Sequence, residues 1–132
     1  MEKTIFVDKI FLYGTLKSGG PFYKLFEHYV LKNQPAYTYG TLYLKNNLPY
    51  FVEKGDHKVY GELITIFNVN EVLDFLSSHY IDKVPKILEV YSVDSDKPYK
   101  AYSFVGEEIN NDLELIETGF WDNTKVNFEE II

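Results

Sequence analysis

The chain has 132 residues, which suits a single domain that buries its own core. It has no cysteine, which excludes disulfides, thiolate metal sites and a thiol nucleophile. The 20 acidic and 13 basic residues give a net charge of −7, which argues against nucleic acid as a partner. Aromatic residues make up 17% of the chain, a proportion typical of proteins rich in half-buried strands.

The first predicted elements are a strand, a loop and a helix. The apolar run 10–13 ends at Gly14 and predicts a buried strand that enters a tight loop. Residues 4–7 either extend or precede this strand. Pro21 suits the first turn of a helix, and the apolar residues after it recur at helical spacing. We therefore predict a helix over residues 22–32.

An alternating pattern typical of β-strands follows the predicted helix. It predicts consecutive antiparallel strands over 37–43, 50–52 and 59–67, joined by turns at 46–47 and 54–56. Because these strands are separated only by short turns, we expect them to lie in one sheet.

A short helix and a hairpin complete the predicted elements. Asn68 followed three residues later by Glu71 resembles a capping box, and the next apolar residues predict a helix that ends near Ser77. Strands over 87–93 and 99–105 flank a turn-rich segment and form a hairpin. The stretch after residue 111 has no clear pattern.

Strands outnumber helices, which decides the predicted fold class. We predict one α+β domain over residues 1–132, with a small, mostly antiparallel β-barrel and flanking helices. No apolar run approaches the ~20 residues that a membrane span needs, and the start of the chain lacks a signal-peptide pattern. We therefore expect a cytoplasmic protein that has no membrane partner. The oligomeric state is not readable from the sequence.

The segment 13–19 carries the strongest functional signal. It lies where a buried strand ends and a helix is predicted to begin. Such a junction can direct successive backbone N–H groups into a cavity, where they hold a carboxylate or another small anion. On spacing alone, an ordinary tight turn is the preferred interpretation, because the motif is short.

Several sequence blocks resemble one known family. The run Tyr-Gly-Thr-Leu-Lys at 13–17, with two glycines after it, is similar to the signature of the γ-glutamylcyclotransferase-like family. That family includes γ-glutamylamine cyclotransferases and plant avirulence-induced-gene-like proteins. Further blocks agree with it in order, and they lie at 40–43 with 48–49, 59–63, 101–102 and 119–121. The resemblance extends from about residue 10 to residue 122.

This resemblance implies a pocket at the loop, where backbone groups hold the glutamyl end of the substrate. By position, the substrate-binding candidates are Tyr13, Gly14, Thr15 and Leu16, together with Tyr102, whose hydroxyl could reach a bound ligand. In the family reaction, the α-amine of a γ-glutamyl compound attacks its own γ-carbonyl and releases 5-oxoproline and an amine or amino acid. The implied partner is thus a small γ-glutamyl compound or another carboxylate, with no metal and no organic cofactor.

Proton transfer is where the sequence departs from the family. The reaction needs a base for the amine and an acid for the leaving nitrogen, and one carboxylate can serve both steps. The family's glutamate on the short helix aligns with Ser77, and a serine hydroxyl without a partner is a poor base at neutral pH. The Tyr-x-Arg pattern that follows in the family is also missing. The best alignment places residues 84–86, which read Val-Pro-Lys, at that position. The catalytic residue is therefore unknown.

Three residues are weak substitutes for this base: Glu62, Asp74 and His79. Glu62 can point into the pocket or to solvent, and we favour solvent. Asp74 is better interpreted as a helix-surface residue. His79 has the residue type for proton transfer near neutral pH, but an exposed loop histidine is the favoured interpretation. A triad of Ser77, His79 and Asp74 is not assumed, because three residues at one helix end need not align.

Other histidines and tyrosines carry weaker signals. His28 and His57 have no spacing that places them in a metal site. Tyr37, Tyr39 and Tyr43 alternate along one strand, and we interpret them as one face of the barrel, whose interior accepts large side chains, rather than as pocket lining.

Three functions therefore stay open at this point. The first is a cyclotransferase with a relocated base. The second is a catalytically degenerate family member that binds a small carboxylate at the loop. The third is an interaction protein that reuses the fold.

Overall fold

The computed structural model describes residues 7–20, 22–78, 83–109 and 112–122. In chain order the elements are β1 (Lys9–Leu12), two short 3-10 helices (Tyr23–Leu25 and Glu27–Tyr29), β2 (Val30–Lys45), β3 (Leu48–Ile66), α1 (Val69–Ser77), β4 (Val84–Ser92), β5 (Pro98–Val105) and β6 (Glu114–Leu115). The strand order is β3-β1-β5-β4-β2-β6, and β2 also pairs with β3. This second pairing closes β1 to β5 into a barrel, with β6 outside the ring.

The pairing of the strands confirms the predicted mostly antiparallel barrel. β1 runs parallel to β5, whereas the other pairs of neighbouring strands are antiparallel. None of the helices in the described part of the chain has the length and apolarity that crossing a membrane requires.

Two apolar clusters occupy the two sides of the barrel wall. The inner cluster takes side chains from every strand of the ring: Phe11, Ala36, Leu42, Phe51, Val59, Leu63, Leu88, Val90, Ala101 and Val105, with Tyr13 and Trp121. The outer cluster takes the alternate strand residues and the helices: Ile10, Leu12, Leu16, Phe26, Ile64, Ile66, Val69, Val72, Leu76 and Phe104. Because successive strand residues point to opposite faces, α1 covers the outside of the wall.

The predicted helix over 22–32 is wrong. Two single 3-10 turns replace it, and the chain enters β2 at Val30, which pairs with Ile66. The spacing of Phe22, Phe26 and Tyr29 serves to pack these rings on the outer cluster, which short turns achieve as well as a helix.

The predicted turn at 54–56 is also wrong, because β3 continues through it. Gly55 has φ +102°, and the register with β2 shifts between Gly40 and Thr41, whose partners are His57 and Val52. The extra residues form a bulge in one long strand instead of a turn between two strands. The turn at 46–47 is confirmed, and both asparagines there have positive φ.

The second predicted helix is confirmed as α1, but its predicted cap is not. Asn68 is left-handed, with φ 62°, and makes no side-chain bond to the helix backbone. Its Nδ2 instead donates to Glu71 Oε2 at 2.7 Å. The hairpin of β4 and β5 is also confirmed. Residues 4–6 and Pro21 lie outside the described residues.

Candidate functional site

The motif loop begins where β1 leaves the sheet beside β3. Leu12 pairs with Glu62, so the side chain of Glu62 lies at the start of the loop. The neighbouring Gly61 allows the two strands to meet closely, because a Cβ there would lie 2.2 Å from Leu12 O. A glycine at position 61, within the block 59–63, is therefore needed for close backbone contact next to the loop.

The loop consists of two successive β-turns. Lys17 N donates to Gly14 O and Gly20 N donates to Lys17 O, each at 3.1 Å. Pro49 packs directly on the first turn, since a Cβ on Gly14 would lie 2.5 Å from Pro49 Cγ. Within the part of the chain that the structure describes, the backbone N–H groups of Thr15 and Leu16 make no hydrogen bond. The loop thus presents two consecutive amide donors on a turn of fixed shape.

Tyr13 anchors the start of the loop inside the barrel. Its ring belongs to the inner cluster and lies 5.3 Å from the ring of Phe51. Its hydroxyl donates to Phe104 O at 2.6 Å in a buried position. Tyr13 therefore connects β1 to β5 through its side chain, which makes it a support of the loop.

Glu62 binds the far end of the loop. Its Oε1 accepts from Ser18 N at 2.7 Å, and its Oε2 accepts from the Ser18 hydroxyl. Asn33 Nδ2 donates to Oε1 at 3.3 Å and also to the Tyr23 hydroxyl at 3.2 Å. The side chain that we expected to face solvent is thus half-buried and holds the loop, with both carboxylate oxygens in use as acceptors.

Lys17 is the buried cation of the loop, only 5% exposed. Its Nζ donates to Trp121 O and lies 3.9 Å from the centre of the Phe120 ring. Burial lowers the pKa of Lys17, while the negative charges of Glu62 and Asp122 act in the opposite direction. The ammonium group thus joins the loop to the segment 119–122, whose Trp121 side chain enters the inner cluster.

The end of α1 lies on the same side of the barrel wall as the middle of the loop. Leu76 and Leu16 both belong to the outer cluster, against which the half-buried Tyr102 also packs. Ser77 follows as the last residue of the helix and is exposed. Of the substitutes for a base, Asp74 is exposed on α1, as expected, and His79 lies outside the described residues.

The structure places the five predicted binding residues in three different surroundings. Tyr13 points into the barrel, whereas Leu16 belongs to the outer cluster and Tyr102 packs against that cluster. Gly14 and Thr15 lie in the turn between them. The backbone of the turn, rather than a set of converging side chains, is what these positions offer to a ligand.

The remaining candidates lie away from the loop. His28 is exposed with its ring 4.2 Å from that of Tyr29, and His57 is exposed in the bulge of β3. Across the described ranges, no group of three or more His, Asp or Glu side chains is placed to hold a metal ion.

The alternating tyrosines of β2 lie on the outside of the barrel, which corrects the interpretation that its interior accepts them. Tyr37 stacks on Tyr91 at 5.4 Å, and Tyr39 meets Tyr91 edge to face at 5.6 Å. The alternate positions on either side of Tyr37 are the smaller buried residues Ala36, which belongs to the inner cluster, and Thr38. The hydrogen bond from the Tyr37 hydroxyl to Asp96, at 2.6 Å, raises the pKa of that tyrosine.

Sequence reasoning missed the supports of the loop. Ser18 and Asn33 bind Glu62, and Trp121 accepts from Lys17. Lys17 stands inside the recognised motif, so its position was a usable signal. Ser18 lies in the segment 13–19 and Trp121 in the block 119–121, so both stood in segments already singled out, whereas Asn33 carries no local pattern.

Comparison with known proteins gives both a family and a fold. Residues 10–123 match the profile of the family described as gamma-glutamyl cyclotransferase, AIG2-like. A sequence search of curated proteins finds no match.

Solved structures with a similar fold include YkqA from Bacillus subtilis, with a TM-score of 0.69 and 19% identity. That match covers 88% of this chain but only 40% of YkqA. An AIG2-like protein from Mus musculus has a TM-score of 0.66 and 19% identity, over 81% of this chain and 82% of its own. Allophanate hydrolase from Kluyveromyces lactis has a TM-score of 0.65 and 16% identity, over 98% of this chain and 22% of its own. At these identities the likeness is one of fold.

Proposed function

Because the chain belongs to the γ-glutamylcyclotransferase, AIG2-like family, we propose that it binds the glutamyl end of a γ-glutamyl compound at the loop 13–18. The observation that carries this proposal is the pair of amide donors, Thr15 N–H and Leu16 N–H, which make no hydrogen bond within the described residues. Adjacent amides on a turn form a concave site that suits a carboxylate. Lys17 adds a positive charge to the loop of a chain whose net charge is −7.

The supports of the loop favour binding because they fix its shape before a ligand arrives. Pro49 packs on Gly14, and Glu62 holds Ser18 through its main-chain and side-chain donors. Lys17 ties the middle of the loop to Trp121. A preformed site avoids part of the entropy that ordering a loop would cost on binding.

We propose that the bound compound is held without being cyclised at an enzymatic rate. Cyclisation requires that the α-ammonium group lose a proton, and a positioned acid or base contributes about 10²–10⁴-fold to such a step. At the end of α1, where the family resemblance places a glutamate, Ser77 offers only a hydroxyl. Glu62 reaches the loop, but three hydrogen bonds from Ser18 and Asn33 hold its carboxylate as a support of the loop.

Replacing Thr15 with proline tests the binding proposal. Thr15 occupies the second position of the turn from Gly14 to Lys17, which accepts the fixed φ of proline, so the change removes one amide donor and keeps the turn. We expect the Kd for γ-glutamyl amino acids and γ-glutamylamines, measured by calorimetry, to rise about tenfold, as for loss of a hydrogen bond to a charged group.

Thr15→Val is the matched control, because it removes the hydroxyl and keeps the amide. We expect this variant to bind like wild type. Equal binding by Thr15→Pro and wild type, with both proteins folded by circular dichroism, would contradict the role of the amides. Absence of binding by wild type to both compound classes would remove the proposal.

One observation favours a second candidate, cyclisation with Glu62 as the base: its carboxylate contacts the loop itself. In that case the amine has to approach Glu62 Oε2, which accepts one hydrogen bond from Ser18 and has room for one more. Release of 5-oxoproline by wild type, with loss of that release in Glu62→Gln, would replace the first candidate by this one.

A further inference from the structure

A second concave site lies away from the loop, between the second 3-10 helix and α1. Its cavity has a volume of about 180 Å³. The lining residues come from the 3-10 helices and from α1 alone: Leu25, Phe26, His28, Tyr29, Glu71, Val72 and Phe75. Because no residue of the loop 13–18 takes part, the cavity requires an explanation of its own.

The polar feature of the cavity is a carboxylate in a fixed orientation. Glu71 Oε1 accepts from the Tyr29 hydroxyl at 2.7 Å, and Oε2 accepts from Asn68 Nδ2 at 2.7 Å. The bond to Glu71 raises the pKa of Tyr29, which keeps that hydroxyl a donor. Each carboxylate oxygen has room for a further donor. In the described ranges, no lysine or histidine forms an ion pair with Glu71, so its charge is not neutralised there.

Apolar side chains and the His28 ring form the rest of the lining. Phe26 and Val72 are each 1% exposed, and the half-buried ring of Phe75 adds to the apolar lining. Leu25 stands at the cavity with 53% of its surface exposed, which is apolar area that a bound molecule would cover. Glu71 would repel an anionic ligand. A purely apolar ligand would make no hydrogen bond to the free acceptor positions of Glu71, which favours a cation that has an apolar part.

We propose that this cavity binds a short primary alkylamine in its protonated form. The ammonium group donates to Glu71, and the alkyl chain lies against Leu25, Val72 and Phe75. A cavity of about 180 Å³ has room for a short alkyl chain. A linear amine with four or five carbons fits this size. The inference does not rest on the function proposed for the loop.

Titration of ¹⁵N-labelled protein with n-butylamine at neutral pH, followed by amide chemical shifts, tests the proposal. We expect saturable shifts at the amides of α1 and the 3-10 helices, with those of Thr15 and Leu16 unchanged. Glu71→Gln should raise the Kd about tenfold, because a charge-assisted bond is replaced by a neutral one. Glutamine can still accept from Tyr29, so the variant is expected to remain folded.

Asp74→Asn is the matched control, since it removes one exposed carboxylate from the same helix outside the cavity. It should leave the Kd within about twofold, as expected when surface charges are screened. Thr15→Pro should also bind n-butylamine like wild type, which separates this site from the loop. Equal binding by Glu71→Gln and wild type, equal shifts with 1-butanol, or shifts located elsewhere would each overturn the proposal.

Discussion

The loop 13–18 and the end of α1 lie on one side of the barrel wall but differ in what they offer to a ligand. The loop is supported at its start, middle and end by Tyr13, Lys17 and Glu62, each through a side-chain hydrogen bond. α1 is packed equally well through Val72 and Leu76, yet it ends in an exposed serine. Good packing is therefore common to the loop and to the end of α1, but the end of α1 has no ionisable side chain at Ser77.

Under the proposed function, binding and proton transfer depend on separate parts of the fold. Backbone donors in the loop follow from turn geometry and from the glycine, proline and carboxylate that support it. A general base depends on the identity of one side chain at a helix end that the fold does not otherwise constrain. A chain can thus keep the first part while the second changes, and family membership alone does not decide its activity.

The largest expected effect comes from placing a carboxylate at the end of α1. Ser77→Glu should raise 5-oxoproline release from γ-glutamyl compounds about 10²–10⁴-fold above wild type, the range for a positioned acid or base. Because Ser77 is exposed, we expect little change in stability. Quantifying 5-oxoproline by chromatography over a range of substrate concentrations checks this result.

Ser78→Glu is the control for that experiment, because it adds the same charge one residue later. Release that rises equally in both variants would show that general electrostatics, and not position, is responsible. No rise in Ser77→Glu, in a variant that still binds the compound, would contradict the assignment of this helix end as the site of the missing base.

A smaller effect is expected when Glu62 loses its charge. Glu62→Gln weakens the bonds from the Ser18 amide and hydroxyl, so the loop becomes less ordered before binding. We expect about a three- to tenfold rise in Kd for γ-glutamyl compounds, corresponding to roughly 1 kcal/mol. Glu53→Gln, on the exposed part of β3, should leave the Kd unchanged. An unchanged Kd in Glu62→Gln would mean that the loop does not need this support.

The elements that could be predicted from the sequence are those with local signals. The Asn46–Asn47 turn has residues that tolerate positive φ, and α1 has apolar side chains at helical spacing. The prediction of a helix before β2 failed because aromatic residues spaced three or four apart lie on one side of the chain in 3-10 turns as well as in an α-helix. The prediction of a turn at Gly55 failed because a glycine within a β-type segment is compatible with either a turn or a bulge.

The candidate site was predictable only where the motif itself supplies it. The loop backbone is a local feature, and resemblance located it. Glu62 contacts Ser18 across 44 positions, and Lys17 contacts Trp121 across 104. Contacts at such separations are set by strand pairing and barrel closure, for which a single sequence has no periodic signal. The direction of the Glu62 side chain therefore had to come from the structure.

The smallest effect concerns the cation beneath the loop and is seen as a dependence on pH. Burial lowers the pKa of Lys17 in the folded protein below its ordinary value of 10.5. At a pH between the lowered pKa of the folded state and 10.5, Lys17 binds more protons in the unfolded chain than in the folded one. This group therefore makes the unfolding free energy rise with pH in that range. A single group changes it by at most about 1.4 kcal/mol per pH unit.

Lys17→Met removes this contribution and leaves the other titrating groups in place. The tyrosines whose pKa is raised, Tyr29, Tyr37 and Tyr91, lose stability at alkaline pH in both proteins and cancel in the difference. Urea unfolding from pH 7.5 upward should therefore show wild type gaining stability relative to Lys17→Met as pH approaches about 10.5. Lys24→Met, at an exposed position, should show no such trend. A flat or falling difference for Lys17→Met would mean that the ammonium group is not desolvated beneath the loop.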